Sequence, residues 1–255
     1  MKIFILCGGF GTRLDYEGQL KAKPMVRIGK KPILMHLVES LCVQNFKEFV
    51  FCLGHKSETI IDYFLKENKD FINILQKKKN FIEILFKKKK IKFKGTLIYT
   101  GMNTGTGGRL LLAYKKLKLN EDIFMTYGDG LSNVKINKLI KFHYKNKAQI
   151  TLTAVKPKQR YGVLKINKKK VNLFDNSNKK INVYINGGYF IISKSMIKKI
   201  RTKEIYWENE PMNYAIKKKK LFAFKHNGFW KSLDTLKDKN DFNEMYKKKE
   251  IPWID

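Results

Sequence analysis

A glycine-rich segment follows directly behind a short apolar run at the start of the chain. Residues 3–7 read Ile-Phe-Ile-Leu-Cys, and residues 8–13 read Gly-Gly-Phe-Gly-Thr-Arg. Five apolar residues are typical of a buried parallel strand, and glycines at its exit allow backbone amides to approach a phosphate closely. The segment therefore predicts an α/β fold with an anion-binding turn behind its first strand. A plain glycine turn flanked by solvated charges is the alternative.

The residues after these glycines exclude two common nucleotide-binding loops. A dinucleotide-binding turn places a third small residue three positions after Gly11, where this chain has Leu14. A Walker loop needs Gly-Lys followed by Ser or Thr, and none follows here. The segment instead continues with Thr12 and Arg13 and then, after a polar loop, with Lys-Pro-Met at residues 23–25. The turn therefore belongs to another class of nucleotide site.

The chain of 255 residues is long enough to bury a core, and we interpret residues 1–255 as one domain. No stretch reaches the roughly 18 apolar residues of a membrane span, and the first apolar run is too short for a signal peptide. Cys7, Cys42 and Cys52 lie in apolar surroundings without metal-ligand spacing. They are typical of reduced core thiols, so we expect a cytoplasmic protein with no membrane partner.

The net charge of +32 raises the question of a nucleic-acid partner, because Lys and Arg neutralise phosphates. The lysine runs are dispersed and lie at the ends of periodic segments, at residues 77–79, 87–90, 168–170, 217–220 and 247–249. No RNA-binding aromatic signature, zinc finger or helix-turn-helix pattern accompanies them. We therefore expect no nucleic-acid partner and interpret the charge as an unspecific field for anionic nucleotides.

Apolar strand-like runs alternate with helical patterns over the first 150 residues. The predicted strands are Lys2–Cys7, Glu48–Leu53, Gly95–Thr100 and Ile123–Tyr127, and the predicted helices are Pro32–Val43, Glu58–Lys66, Gly108–Lys118 and Lys135–Asn146. This alternation predicts a mostly parallel sheet flanked by helices on both faces, with ligands outside the carboxyl ends of the strands. Residues 65–95 are interpreted as an insertion.

The pattern changes to strands after residue 148. The predicted strands are Gln149–Val155, Gly162–Ile166, Val171–Phe174, Tyr184–Ile192 and Leu221–Phe224, and the predicted helices are Ser195–Ile200, Glu208–Lys217 and Thr235–Lys248. We expect residues 149–255 to add a smaller antiparallel β extension and a closing helix to the same domain.

Two aspartates occupy loop positions that suit a divalent metal. Asp129 stands between Gly128 and Gly130 after an apolar strand, and Asp234 precedes a predicted helix. Mg²⁺ usually takes one or two protein carboxylates together with substrate phosphates, so we predict that both aspartates bind one Mg²⁺. A simple Asp-Gly turn and a helix N-cap are the respective alternatives.

Two cations are candidates for the reacting phosphates. Arg13 has the fork geometry to clamp phosphate oxygens, and Lys23 is a compact charge able to follow the α-phosphate.

A third glycine-rich loop, residues 104–110, lies at a predicted strand-to-helix junction and contains Arg109. Free amides at a helix start bind anions or base edges, and Arg109 is a candidate donor to a pyrimidine carbonyl. We predict that Arg13, Lys23 and Asp129 are catalytic.

In their order along the chain, these loops resemble those of the sugar nucleotidyltransferases. The shared motifs are Gly-Gly-x-Gly-Thr-Arg-Leu, Lys-Pro-Met, Thr-Gly-Gly-Arg-Leu, Tyr-Gly-Asp-Gly, Ile-Asn-Gly-Gly, Trp-Glu-x-Glu-Pro, Gly-Phe-Trp and Asp-Thr-Leu. The first is common to the whole family, whereas Thr-Gly-Gly-Arg-Leu and Gly-Phe-Trp are similar to the glucose-1-phosphate cytidylyltransferases in particular. The resemblance extends to Pro252-Trp253 and covers essentially the whole chain.

This resemblance implies a Rossmann-like sheet of the nucleotide-diphospho-sugar transferase type. It also implies CMP transfer from CTP to a sugar 1-phosphate, with glucose 1-phosphate favoured, by in-line displacement that releases pyrophosphate and uses Mg²⁺. A homo-oligomer, either a trimer or a hexamer, is implied as well. The residues that it places on the nucleotide are Leu6, Cys7, Gly8, Gly9, Phe10, Gly11, Thr12, Arg13, Lys23, Thr104, Arg109 and Gly128.

The acceptor side departs from the family pattern at one point. The family has Glu-Lys-Pro soon after the strand equivalent to Val171–Phe174, and its Lys meets the sugar phosphate, whereas this chain has Asp-Asn-Ser-Asn at residues 175–178. The predicted acceptor residues are Asn186, Gly187, Trp230 and Lys179, with Lys180 and Arg160 as further candidate cations. A bulged strand at the paired glycines is the alternative for residues 187–188.

Two other functions stay open at this point. The first is a cytidylyltransferase that acts on a different phosphorylated acceptor, for surface-polysaccharide decoration. The second is an inactive nucleotide-binding subunit, although such a protein would not need the full set of Arg13, Lys23, Asp129 and Asp234.

Overall fold

The computed structural model describes residues 1–9, 20–157, 163–167, 169–175 and 183–254. Within these residues the strands are β1 (Ile3–Cys7), β2 (Arg27–Ile28), β3 (Lys31–Pro32), β4 (Glu48–Leu53), β5 (Ile72–Lys78), β6 (Phe81–Lys88), β7 (Ile91–Tyr99), β8 (Ile123–Tyr127), β9 (Gly130–Ser132), β10 (Ile150–Val155), β11 (Val163–Asn167), β12 (Lys170–Asp175), β13 (Ile185–Ile192), β14 (Leu221–His226) and β15 (Trp230–Ser232). The helices are α1 (Ile33–Val43), α2 (Ser57–Asp62), α3 (Thr106–Lys116), α4 (Ile136–Lys145), α5 (Lys194–Ile197), α6 (Glu210–Lys217) and α7 (Leu236–Lys247).

Nine of the described strands form one sheet in the order β14-β10-β13-β8-β1-β4-β7-β6-β5. Its centre is parallel, since β1 pairs with both β4 and β8, and β4 pairs with β7, all in the same direction. Every residue of β1 is buried, as expected for a strand covered on both faces. The predicted α/β sheet with helices on both faces is confirmed.

The second half of the chain enters the main sheet instead of only extending it. Strand β13 lies antiparallel between β10 and β8, and β14 runs parallel to β10 at the sheet edge. Strands β11 and β12 form a separate antiparallel pair, which is the smaller extension that the sequence predicts. The acceptor candidates on β13 are therefore next to the central strand β8.

The segment interpreted as an insertion, residues 65–95, mostly forms sheet strands. Strands β5, β6 and β7 are antiparallel neighbours that continue the main sheet beyond β4. β7 is long because it pairs with both β4 and β6, so it begins at Ile91 and not at the predicted Gly95. The edge strand β5 is exposed along nearly its whole length.

All seven predicted helices are present, with ends that differ from the predicted bounds by at most four residues, and two of these differences have a visible cause. Pro32 precedes helix α1 as its N-cap in extended conformation, because it pairs with Arg27 in a short antiparallel ladder. The helix predicted as Glu58–Lys66 begins at Ser57 and changes after Asp62 into a π-helical turn, Tyr63–Glu67. Neither change moves a candidate site residue.

The core lies in two apolar layers, one on each face of the sheet. Ile3, Ile5 and Cys7 pack with α1 on one face, whereas Phe4 and Leu6 pack with α3 on the other. This division follows from the alternation of side chains along a strand. Among the described residues, no helix has the length and apolar content needed to cross a membrane.

Candidate active site

The carboxyl ends of the central strands border a cleft with a volume of about 280 Å³. The residues that line it are Leu6, Cys7, Gly8, Gly9, Lys23, Pro24, Thr104, Thr106, Arg109, Tyr127, Asp129, Tyr206 and Asp234. Nine of these thirteen are predicted from the sequence; Pro24, Thr106, Tyr127 and Tyr206 are not. Among the described residues, no atom lies within 4 Å of the position that a Cβ on Gly9 would take, so none of them blocks the approach of a ligand to this backbone.

Lys23 lies between the two aspartates predicted to bind metal. Its ammonium group is 2.6 Å from Asp129 Oδ2 and 2.8 Å from Asp234 Oδ1. Asp129 follows β8, and Leu233 donates its amide to the Asp129 carbonyl at 2.8 Å. The short β9–β15 pairing thus brings together two carboxylates that are far apart in the sequence.

The two carboxylates control the charge of Lys23. Burial by itself lowers the pKa of Lys23, but attraction to Asp129 and Asp234 outweighs that effect and raises the pKa above its ordinary value. Lys23 therefore stays protonated throughout the neutral range. The floor of the cleft carries one positive and two negative charges in direct contact.

The loop that carries Asp234 is held from behind by Asp238. One Asp238 carboxylate oxygen accepts the amides of Asp234 (3.1 Å) and Thr235 (3.0 Å), and the other accepts the Lys231 ammonium at 3.0 Å. Thr235 is the N-cap of α7 and forms a capping box with Asp238. The alternative interpretation of Asp234 as the helix cap is therefore wrong, and its carboxylate faces Lys23.

The aspartate pair fits a divalent cation on the geometry present here. Both carboxylates already converge on one cationic centre, the Lys23 ammonium. Within the described part of the chain, no group of three or more His, Cys, Asp or Glu side chains is arranged to hold a metal ion. A two-carboxylate site suits Mg²⁺, whose remaining positions are taken by water and substrate phosphates.

Arg109 holds the strand ends together. Its side chain is buried, with the residue 4% exposed, and burial lowers its pKa. Its two terminal nitrogens donate to five protein oxygens, which belong to Gly8 (3.0 Å), Leu53 (3.2 Å), Thr100 (2.9 Å), Gly101 (2.6 Å) and Met102 (2.9 Å). A Cβ added to Gly8 would lie 2.4 Å from the guanidinium. The close approach at Gly8 thus accommodates Arg109, and the role of Arg109 as a pyrimidine donor stays a prediction.

We expect Arg109→Lys to lower the free energy of unfolding by about 2–4 kcal/mol. An ammonium cannot reach all five oxygens, and each buried carbonyl left unpaired costs about 1–3 kcal/mol. Thermal unfolding without nucleotide measures this, with Arg27→Lys as the matched control, because Arg27 pairs with Glu67 at the surface. An unchanged melting temperature together with lost nucleotide affinity would show that Arg109 acts on the ligand instead.

The amides at the start of α3 are partly used by the protein itself. Gly105 donates to the Lys203 carbonyl at 2.9 Å, and Gly108 donates to the Ile205 carbonyl at 3.1 Å. A Cβ on Gly108 would lie 1.9 Å from the Lys203 oxygen, so only glycine permits this contact. These two glycines therefore dock the segment 203–207 on the helix start, and their amides are not offered to an anion.

Glu208 is a site residue that the sequence analysis does not assign. It accepts the hydroxyl of Thr106 at 2.6 Å and the phenol of Tyr127, whose hydroxyl is also hydrogen-bonded by the Asn186 amide. Burial and then the negative charge of Glu208 raise the pKa of Tyr127, which stays a neutral donor. Glu208 is the first glutamate of the Trp-Glu-x-Glu-Pro motif, which is the sequence feature from which these contacts could have been predicted.

The described acceptor candidates, Asn186, Gly187 and Trp230, are not among the residues that line the cleft. Trp230 donates its indole N–H to the Gly187 carbonyl at 2.7 Å, and Asn186 accepts the Gly188 amide at 2.8 Å. The register of β10 against β13 shifts at these glycines, so the bulge is present. Gly128 is not among the lining residues of the cleft, but it packs against two that are, since a Cβ added to it would lie 2.8 Å from Pro24 and 3.2 Å from Cys7.

Several predicted residues lie outside the described part of the chain. They are Phe10, Gly11, Thr12 and Arg13 in the first loop, and Arg160, Lys179 and Lys180 on the acceptor side. Their roles stay predictions.

The sequence matches the model of the nucleotidyl transferase family over residues 2–248. The chain belongs to that family. This nucleotidyl transferase is 37% identical over 253 residues to glucose-1-phosphate cytidylyltransferase of Salmonella typhimurium, covering 99% of this chain and 98% of that one. It is 28% identical over 246 residues to mannose-1-phosphate guanyltransferase of Yarrowia lipolytica, covering 93% of this chain and 62% of the longer relative.

Solved structures agree with the fold. The crystal structure of HddC from Yersinia pseudotuberculosis superposes with a TM-score of 0.70 at 24% identity, covering 96% of this chain and 99% of that one. Nucleotidyl transferases generally use a divalent metal ion. The role of Asp129 and Asp234 in holding one stays a prediction.

Proposed function

We propose that this nucleotidyl transferase transfers CMP from CTP to glucose 1-phosphate, giving CDP-glucose and pyrophosphate. The observation that carries the proposal is the convergence of Lys23, Asp129 and Asp234 on the floor of the cleft, which Gly9 also lines. The choice of CTP and glucose 1-phosphate is supported by the Salmonella relative, whose identity extends over the whole chain.

Asp129 and Asp234 would hold one Mg²⁺ in this proposal. A bound Mg²⁺ supplies neutralisation of the charge that develops on the triphosphate. Lys23, once released from the two carboxylates, donates to oxygens of the α-phosphate, where charge builds up in the transition state. On the basis of the family resemblance, Arg13 also binds oxygens of the triphosphate.

The reaction needs little proton transfer from the protein. An oxygen of the acceptor phosphate attacks the α-phosphorus and forms a new P–O bond, while the bond to the bridging oxygen of the leaving pyrophosphate breaks. A phosphate dianion is nucleophilic without a general base, so the side chains orient the two substrates and stabilise charge. Glu208 supports this alignment because it joins Thr106 on the nucleotide side to Tyr127 on the acceptor side.

The acceptor half is assigned to residues 149–255 of one continuous domain. Asn186 and Trp230 would contact the sugar, and Gly187 fixes the Trp230 indole through its carbonyl. Lys179, Lys180 or Arg160 would replace the lysine of the missing Glu-Lys-Pro motif. We further assign the enzyme to the cytoplasm as a homo-oligomer, a trimer or a hexamer; its three buried free cysteines suit a reducing compartment.

Pyrophosphate release across four nucleoside triphosphates and a panel of phosphorylated sugars tests the proposal. CTP with glucose 1-phosphate should react at least about tenfold faster than any other pair. Poor turnover of glucose 1-phosphate even at millimolar concentration, with CTP still bound, would favour the alternative acceptor. Absence of CMP transfer to every acceptor would overturn the assignment as an enzyme of this kind.

The source of the acceptor cation has its own test. If Lys179 or Lys180 supplies it, alanine at that position should raise the KM for glucose 1-phosphate and leave the KM for CTP unchanged. Equal effects on both substrates would contradict a role on the acceptor side.

A further inference from the structure

Tyr206 is an aromatic side chain in the cleft that the proposed mechanism does not use. It is 59% exposed, although it lines the same cavity as Thr104, Thr106 and Arg109. The other tyrosine of the cavity, Tyr127, is engaged by Glu208. Tyr206 therefore offers an aromatic ring to whatever occupies the nucleotide side of the cleft.

The backbone around Tyr206 is fixed on both sides. Ile205 accepts the Gly108 amide at 3.1 Å, and Trp207 donates its amide to the Thr106 hydroxyl at 2.8 Å. Trp207 is itself fully buried. An exposed ring on an anchored backbone loses little conformational freedom when a flat ligand packs against it, because only its two side-chain torsions remain to be ordered.

We propose that Tyr206 is a stacking platform for the base of the bound nucleotide. The inference rests on the proposed function, since it takes a nucleoside triphosphate as the occupant of the cleft. The terminal nitrogens of Arg109 already donate to five protein oxygens. Other groups must therefore supply much of the free energy of binding the base. Stacking of a base on an aromatic side chain strengthens binding by roughly 5- to 150-fold.

A stacking platform should raise the affinity for a nucleotide but contribute little to the choice of base. Every base has a π face, so a stacking platform raises affinity without choosing strongly among bases. Tyr206 therefore contributes affinity, and the choice of base comes from polar groups at the base edge. The phenol hydroxyl is not needed for this role, so phenylalanine replaces Tyr206 without loss.

Isothermal titration of the whole protein with CTP and with inorganic tripolyphosphate tests the platform. Tyr206→Ala should weaken CTP binding about tenfold and leave tripolyphosphate binding unchanged, because only CTP carries a base. Tyr206→Phe should keep the CTP affinity within about twofold. Tyr144→Ala, which removes an exposed tyrosine on α4, serves as the control and should change neither ligand.

The outcomes separate this inference from the proposed function. Wild-type affinity for CTP in Tyr206→Ala overturns the platform while leaving the enzyme assignment intact, and so does equal weakening of CTP and tripolyphosphate. If another nucleoside triphosphate binds better than CTP, the same comparison is made with that nucleotide. If the wild-type protein binds no nucleotide, both the proposed function and the platform fail.

Discussion

We expect Asp129→Asn to fold normally and its kcat to fall at least about 1,000-fold. A bound metal stabilises the transition state by several kcal/mol, and the variant would lose that stabilisation. The amide has nearly the same shape as the carboxylate but no charge, so it cannot hold a divalent cation with Asp234. The short β9–β15 pairing and the contact of the Asp129 carbonyl with Leu233 do not involve the side chain and should persist.

Pyrophosphate release measures the loss, and the thermal unfolding curve reports the fold. Binding of Mn²⁺ to the nucleotide-free protein gives a second readout that does not depend on turnover, and it should disappear as well. Asp62→Asn is the matched control, because Asp62 pairs with Lys66 on the surface of α2. Retention of near-normal activity in Asp129→Asn would refute the metal assignment.

Lys23→Ala should lower kcat by roughly 100-fold or more, with a smaller change in CTP affinity. Preorganised cations aimed at developing charge are worth about 2.7–4 kcal/mol when removed from an active site. The ground-state complex keeps its other phosphate contacts, so binding depends less on this one group. Lys30→Ala removes an exposed charge of the same sign and should leave kcat unchanged.

The same variant should bind Mn²⁺ more tightly in the absence of nucleotide. Lys23 occupies the position between Asp129 and Asp234, so a divalent cation must displace its ammonium to reach both carboxylates.

The kinetics of Lys23→Ala also test its role in the transition state. A raised KM for CTP with unchanged kcat would show that Lys23 only binds the substrate. An isolated CMP–enzyme adduct would contradict direct displacement.

The central strands could be predicted from sequence because they are buried on both faces. Such strands are continuous apolar runs, so β4 and β8 appear at the predicted bounds, Glu48–Leu53 and Ile123–Tyr127. Parallel strands end at one edge of a sheet, and the loop with Asp129 follows from that rule. The sequence places both aspartates near this edge for the same reason, because each follows or precedes a recognisable element. Their convergence on Lys23 is observed, and their binding of a metal stays a prediction.

The roles of individual polar groups were harder to predict. The sequence marks Arg109 as a cation in a glycine-rich loop, but does not indicate whether its donors face a ligand or the carbonyls of three strand ends. Glu208 and Tyr127 are separated by 81 positions, and their contact depends on how the segment before α6 docks on α3. Tyr206 reaches the cleft through the same docking.

Local patterns by themselves determined the strands of the parallel centre and the loop positions of the two aspartates, because periodicity and turn chemistry act over a few residues. The family of the first glycine-rich loop came from its resemblance to the sugar nucleotidyltransferases. Only the tertiary structure decided that β13 inserts between β10 and β8, that β5 and β6 continue the main sheet, and that Arg109 staples the strand ends. These depend on packing between distant segments. A hydrogen bond between residues that are about 50 to 100 positions apart produces no periodic pattern in the sequence. Its partners can therefore be identified only from the folded structure.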